Sequence, residues 1–387
     1  MKLLIYARDW APSVGGVQTI VKTLADGLAD WSSEHSEEAI KVTLLTQTPA
    51  ESMNDLQLPY RVVRKPGFMD FIREIRRADV IHLAGPTLVP LIMGCLLRKP
   101  TVIEHHGFQA ICPNGQLIYE PTQTLCPGHF MARRYGECIR CNFKLGRLTS
   151  VKMWMLTFPR RWFSQRVATN IVPTSWLGSL LQLNRLKTIS HGLPPREPSP
   201  QRDVTSTVPV FVFLGRLVST KGVRVLIEAA GRLKAKRREF QARIIGDGPE
   251  RQELEALVRD LGLTSYVRFL GYVPAERLEE SMEDATAVVM PSLGGEVFGL
   301  VAAENMQRGR LVIASDIGAL SEVLGDAGMT FATGDAEDLA RCMERIIGDP
   351  SLSEKIRQDA FRRVAQSFAA DQMVSKHLRV YQELGGH

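Results

Sequence analysis

The chain alternates short apolar runs with helix-period segments, breaks off, and starts again. Leu3–Ala7, Lys41–Thr46, Val80–Ala84 and Val102–Glu104 read as strands, with helical spacing over Thr19–Trp31. After the stretch 194–209, PPREPSPQRDVTSTVP, the pattern resumes. Val210–Leu214, Ala242–Gly246, Val267–Leu270, Ala287–Met290 and Leu311–Ala314 read as strands, with helices over Val223–Lys234 and Arg251–Leu261. Near-continuous apolar strands alternating with helices predict parallel sheets covered on both faces. The Pro-, Ser- and Arg-rich stretch between them predicts a linker. Two doubly wound α/β domains follow. A length of 387 residues allows each its own core at ~100–200 residues per domain. Ligands in such sheets bind beyond the strand C-termini, so a site in a cleft between two such domains is expected.

The first residues, MKLLIYARDW, read as a strand rather than a leader, and the apolar runs fall short of the ~20 residues of a membrane span. A cytoplasmic location is the default expectation. The net charge of +6 is concentrated. Between Arg133 and Lys187 stand eleven Lys/Arg against one acid, Glu137, interleaved with Trp154, Phe158, Trp162 and Phe163. Such a stretch suits an anionic partner: a lipid surface, a phosphorylated acceptor or nucleic acid. A solvated face over a few core aromatics is the plainer alternative.

Candidate ligand-binding residues fall where strands end. In VFVFLGRLVSTKGV, Gly215 permits a turn, Arg216 emerges at the strand end and Lys221 precedes Gly222 at a helix start. Two cations at a helix N-terminus make a phosphate site, although a solvated loop has the same letters. It is not a Walker A loop. RIIGDGPE sets Gly246, Asp247 and Gly248 after another strand. In GGEVFGLVAAE, Glu296 lies just before a helix expected to begin near Phe298 or Gly299, followed by Leu300, and Glu304 lies in its second turn. Both carboxylates accept hydrogen bonds and so suit a hydroxyl-rich ligand; a helix cap plus a surface salt bridge is the alternative. Gly15 and Gly16 open the first helix. His105 and His106 end a strand, so one faces each side.

Cys112, Cys126, Cys138 and Cys141, with Cys138-x2-Cys141 as a knuckle, suggest a structural Zn²⁺ site in a segment poor in regular structure. His129 is a spare ligand, and an iron–sulfur cluster would use the same thiols. Free cysteines or one disulfide are the alternative.

GRLVSTKG, RIIGDGP, FLGYVP and the E-x7-E of GGEVFGLVAAE resemble the retaining GT-B glycosyltransferases of family four, the glycosyl transferases group 1. The resemblance covers nearly the whole chain and is densest over Val210–Leu324. It implies a UDP- or GDP-type nucleotide-sugar donor, with Arg216 and Lys221 on the diphosphate, Glu304 on the ribose and Glu296 on the sugar. Gly15 and Gly16 would approach the diphosphate or donor sugar, and His106 would stand near the sugar. The base would lie near Gly271–Val273, including Tyr272. Gly215, Gly246, Asp247, Phe298, Gly299 and Leu300 complete the implied donor site. Catalysis would need no metal. The acceptor implied is a glycan hydroxyl, lipid-linked in cell-envelope or exopolysaccharide assembly, with peripheral contact at the inner membrane face. The implied domains are 1–195, carrying the Cys-rich insertion 107–145, then 205–368, then a helix over 369–387 packing back on the first. A cysteine-bearing insertion resembling this one occurs in some members, on the acceptor side. Val297, Asn305-Met306-Gln307 and Leu311 depart from the family pattern, which leaves sugar identity open. A zinc-knuckle nucleic-acid binder and a catalytically silent nucleotide-sugar-binding protein are the competing readings.

Overall fold

The computed structural model describes residues 1–13, 15–50, 54–196 and 208–385; most of the predicted linker 194–209 lies outside them. Two compact units result. The first comprises Met1–Leu117, Pro127–Pro195 and Phe368–His387, and the second Ile118–Cys126 and Arg196–Ser367.

In chain order the strands are β1 (Lys2–Tyr6), β2 (Lys41–Thr46), β3 (Arg61–Arg64), β4 (Val80–Ala84), β5 (Thr101–Glu104), a hairpin of β6 (Ile118–Tyr119) and β7 (Thr124–Leu125), β8 (Thr169–Val172) and β9 (Leu186–Thr188). The second half adds β10 (Val210–Leu214), β11 (Gln241–Ile245), β12 (Val267–Gly271), β13 (Ala287–Met290), β14 (Leu311–Ser315) and β15 (Met329–Phe331). The first unit's sheet runs β3-β2-β1-β4-β5-β8-β9 and the second's β12-β11-β10-β13-β14-β15, with every paired strand of both parallel. The apolar content of VFVFL, AVVM and LVIAS follows from this, since helices cover both faces and nearly every side chain is buried.

In each sheet the strand order reverses once, between β1 and β4 and between β10 and β13. At such a point neighbouring strands send their following loops to opposite sides, which opens a crevice at their C-terminal ends.

The Cys-rich segment carries more regular structure than its composition suggests, including a helix over Tyr135–Cys141. Aromatic contact holds part of it down: Phe130 and Tyr135 pack on Trp154 and Phe158 of the helix Arg147–Ser164, with ring centroids 5.0 Å apart for Phe130–Phe158 and 5.6 Å for Tyr135–Trp154. Two members of the basic, aromatic stretch therefore do packing work, while Trp162 stays 51% exposed.

The last helix, Ala370–Gly385, belongs to the first unit and packs on the helix Gly16–Glu34. The approach is close at Gly27, where an added Cβ would stand 2.5 Å from Val374 Cγ2. Gly27→Val should lower stability by about 1–3 kcal/mol through overpacking. Val374→Ala combined with Gly27→Ala should recover most of the loss of Gly27→Ala alone. Urea unfolding of the three variants checks this; equal losses in the single and double variants would contradict it.

Candidate functional site

The second unit's crevice collects most of the residues singled out in sequence. Gly215 and Arg216 leave β10, and Lys221 ends a short turn before the helix Val223–Ala235. The loop after β13 comes alongside: Leu293 N–H donates to Thr220 O at 2.8 Å. Lys221 Nζ and Glu296 Oε1 are in direct contact, and Ser292 Oγ donates to the same oxygen at 3.1 Å. Ser292 is itself fixed by Ser315 Oγ, 2.6 Å from its carbonyl. Glu296 is only 8% exposed, so its charge is balanced by the lysine and a hydroxyl rather than by water. Arg216 is exposed and has no ion pair within 4 Å among the described residues. One cation is thus held by a buried carboxylate and the other is open to a ligand.

Backbone hydrogen bonds tie the glycine loops to this point. Gly215 N–H donates to Ile245 O at 3.0 Å, Leu217 N–H to Asp247 O at 3.0 Å, and Gly246 N–H to Gly271 O at 2.8 Å. Asp247 accepts from Gly248 N–H at 2.7 Å and pairs with Arg251 at 3.1 Å. Tyr272 and Val273 follow β12, two strands away from β10, and Tyr272 is 75% exposed.

The helix expected near Phe298 or Gly299 begins at Leu300, with Gly299 as its left-handed N-cap and no side-chain cap. Phe298 is buried at 1% exposure. Glu296 stands before the helix start, and Glu304 is half-buried in its second turn. Burial raises the Glu304 carboxyl above its usual range, outweighing Arg308 and Arg196 nearby.

The first unit's crevice has its own cavity, about 340 Å³, between the loops after β1 and β4. Arg8, Asp9, Gln18, His106, Gln109 and Arg160 line it. Gly15 and Gly16 open the adjoining helix, which no side chain caps. The two histidines do face opposite ways. His105 Nε2 meets Asn170 Oδ1 at 2.9 Å in the interior, and burial pushes its pKa down to about 4. His106 borders the cavity, and burial lowers its pKa as well.

Beneath His106 lies an arrangement that sequence reading passed over. Glu104, fully buried, has His82 Nε2 3.2 Å and His106 Nε2 and His377 Nε2 each 3.6 Å from Oε2, and His191 Nε2 3.6 Å from Oε1. Burial opposes ionisation of Glu104, but the surrounding imidazoles prevail and hold it well below the usual carboxylate range. Burial also lowers His82, and His191 to about 3. The signal in sequence was a polar residue inside an apolar strand, His82 in VIHLA and Glu104 in TVIE.

Cys112, Cys138 and Cys141 are buried in the first unit, and Cys126 belongs to the second. Asn114 stands between two of them, accepting from Cys112 Sγ at 2.9 Å and donating to Cys141 Sγ at 3.7 Å. Among the described residues, the groups of three or more ligand atoms lying within 4.8 Å of one another are His82–Glu104–His377 and Glu104–His106–His191; neither includes a cysteine or His129. No helix of the described residues is long and apolar enough to cross a membrane.

Gly222 separates Lys221 from the following helix at φ +62°, and a Cβ there would lie 2.0 Å from Pro291 O. The two loops can touch only because this residue has no side chain. Gly222→Ala should cost more than about 1 kcal/mol, read as a lower urea midpoint with unchanged slope; an unchanged midpoint would show that the loops are free to part.

The family match falls on the second unit. Residues 196–363 match the family described as "Glycosyl transferases group 1". The alpha-D-kanosaminyltransferase of Streptomyces kanamyceticus is 30% identical over 179 residues, 46% of this chain and 46% of that protein. The phosphatidyl-myo-inositol mannosyltransferase of Mycolicibacterium smegmatis is 34% identical over 178 residues, 45% of each. The aligned segments thus span less than half the length of these curated relatives. Among solved structures, Anabaena HepE in complex with UDP and glucose has a TM-score of 0.72 at 18% identity, covering 99% of this chain and 100% of that one. WaaG, a glycosyltransferase involved in lipopolysaccharide biosynthesis, has 0.70 at 16%, covering 100% of both. The fold class is GT-B, with two Rossmann-like units.

Proposed function

We propose that this chain, whose residues 196–363 belong to the glycosyl transferases group 1, moves a sugar from a nucleotide-diphosphate donor to a hydroxyl of a glycan acceptor. The observation that carries this reading is the convergence of Arg216, Lys221 and Glu296 at the strand-order reversal between β10 and β13. A leaving diphosphate develops negative charge, and two neighbouring cations, one of them already held by Glu296, stabilise it. Lys221 already neutralises Glu296, so the open Arg216 is the first group a diphosphate would meet. Glu296 keeps one oxygen beyond its contact with Lys221 and Ser292, suited to a sugar hydroxyl. Glu304 accepts from the ribose. His106, with Gly15 and Gly16, marks the ligand-facing side of the first unit's own crevice. Arg8 and Arg160 beside it favour an acceptor carrying a phosphate.

The transfer in this reading retains anomeric configuration, by same-face attack in which the leaving phosphate takes the acceptor's proton. Arg216 and Lys221 serve where other enzymes use a divalent ion, so the step runs without a catalytic metal. The donor is of UDP or GDP type. HepE was solved with UDP and glucose bound, which supports testing UDP-glucose first. A lipid-linked acceptor in envelope or exopolysaccharide assembly, at the cytoplasmic membrane face, is consistent with the relatives named. It is supported by the helix Arg147–Ser164, where Leu148 (88% exposed), Met155 (58%) and Trp162 (51%) stand among Arg147 and Lys152.

Thermal stabilisation by UDP, GDP, ADP and their sugar conjugates tests the donor assignment. One nucleotide should raise the midpoint. Arg216→Ala should weaken its binding about 10–100-fold, the equivalent of about 1.5–3 kcal/mol for charge-assisted hydrogen bonds. Equal affinity in both proteins would remove Arg216 from the site.

Glu304 adds a pH signature. Its carboxyl is raised, so as pH falls through that value the group gains a proton and ceases to be a full acceptor. Nucleotide affinity should therefore decline on acidification, starting above the range of an ordinary glutamate. Glu304→Gln should bind more weakly at pH 7 and lose that part of the profile; matching profiles by isothermal titration would sink the role.

The membrane contact is read by co-sedimentation. The chain should pellet with phosphatidylglycerol vesicles and release as salt rises, and Trp162→Ala/Leu148→Ala should remain in the supernatant. Equal pelleting of wild type and variant would place the contact elsewhere.

A further inference from the structure

The buried cluster around Glu104 is not used by the chemistry above, apart from its contact with His106. We propose that His82, Glu104 and His377 form a structural site for a divalent transition-metal ion of the Zn²⁺ class, binding the last helix to the first unit's sheet.

The first argument is the direction of hydrogen bonds. His377 Nδ1 lies 2.9 Å from Met373 O. A carbonyl can only accept, so Nδ1 carries the hydrogen and Nε2 is the nitrogen turned toward the cluster. That nitrogen stands 3.6 Å from Glu104 Oε2. The two face each other in a fully buried space, where a cation between them would meet both. On the other side, His82 Nδ1 lies 2.9 Å from Tyr381 Oη. His82 Nε2 in turn faces Oε2 at 3.2 Å. Among the described residues, His82 Nε2, His377 Nε2 and both Glu104 oxygens are buried without a properly directed hydrogen bond. Buried polar atoms left in this state imply a partner.

The second argument is dimension. Ligands about 2.0–2.1 Å from a tetrahedral Zn²⁺ lie about 3.3 Å from one another. The observed 3.2 Å and 3.6 Å are edges of that size. Two imidazoles and a carboxylate are ligands that zinc accepts. Each imidazole is also oriented from behind, His377 by Met373 O and His82 by Tyr381 Oη, as outer partners orient metal-binding histidines.

The third argument is placement. His82 lies in β4, Glu104 ends β5, and His377 comes from the helix Ala370–Gly385. All three are 0% exposed. Three fully buried ligands from chain-distant elements would tie those elements together, with the second Glu104 oxygen or an enclosed water completing the coordination, and burial keeps substrate away from the ion. This inference does not rest on the glycosyltransferase reading, since it concerns metal content and stability, not sugar transfer.

The test uses the full-length chain without a histidine tag, expressed with Zn²⁺ and desalted, with metal counted by plasma mass spectrometry. About one ion per chain should remain at this site, and chelation should lower the thermal midpoint. His377→Gln and His82→Gln should each lose one equivalent relative to wild type, while Cys138→Ser should keep it. Should both histidine variants fail to fold, wild-type protein refilled with Co²⁺ decides. Visible d–d bands without a near-ultraviolet thiolate band assign imidazole and carboxylate ligands. Full metal content in His377→Gln, a thiolate band that disappears in Cys138→Ser with no other cobalt signal, or wild-type protein that holds no metal and gains no stability from added Zn²⁺ would each overturn the site.

Discussion

A carboxylate withdrawn from water must be given a cation or a set of donors, and each unit has built one such arrangement at or beside the strands where its order reverses. In the second unit the group is Glu296, held by Lys221 and Ser292. In the first it is Glu104, ringed by imidazoles. These are the points where a doubly wound sheet offers a crevice. The apolar strands that enclose them make the local dielectric low, and each misplaced charge correspondingly costly. That cost orders the neighbouring loops. Ser315 secures Ser292, Ser292 secures Glu296, and Glu296 secures Lys221. Arg216, outside this chain of contacts, keeps the freedom that a ligand-binding cation needs.

How far the fold was legible in sequence depended on where each strand lies in its sheet. Val210–Leu214 and Ala287–Met290 were readable to the residue, because central parallel strands are buried on both faces and spell continuous apolar runs. Arg61–Arg64 and Leu186–Thr188 were passed over. They are the outermost strands of the first sheet, and RVVR and LKT carry charge that an edge tolerates. Thr169–Val172 is buried throughout, but TNIV includes Asn170, whose amide serves His105 on one side and two carbonyls, Ser164 and Asn184, on the other. A polar residue with an internal structural job looks, in sequence, like the end of a strand.

The same distinction governs the site. Gly215, Arg216, Lys221, Glu296 and Glu304 come from two loops and a helix start, each written as one contiguous motif, and the sheet needed only to place two neighbouring strands side by side. The cysteine knuckle was equally visible as spacing, but spacing does not fix where side chains point. Asn114 comes to both Cys112 and Cys141, a contact that cysteine spacing does not foretell.

The Glu104 cluster had no single motif to read, because His82, the Glu104–His106 segment, His191 and His377 lie far apart in the chain, and His377 joins them only when the last helix returns to the first unit's sheet. That return has a physical price in specificity. The helix must seat His377 against Glu104 and Tyr381 against His82, and Gly27 must stay small for Val374 to pass. A purely apolar interface would have tolerated rotation or a one-turn slip of the helix, since similar methyl groups would meet similar methyl groups. A polar interface with fixed donors and acceptors does not, as any slip takes His377 away from Glu104 and the Tyr381 hydroxyl away from His82. The buried carboxylate therefore specifies the register of the C-terminal helix, and through its contact with His106 the same choice sets the position of a residue on the cavity wall.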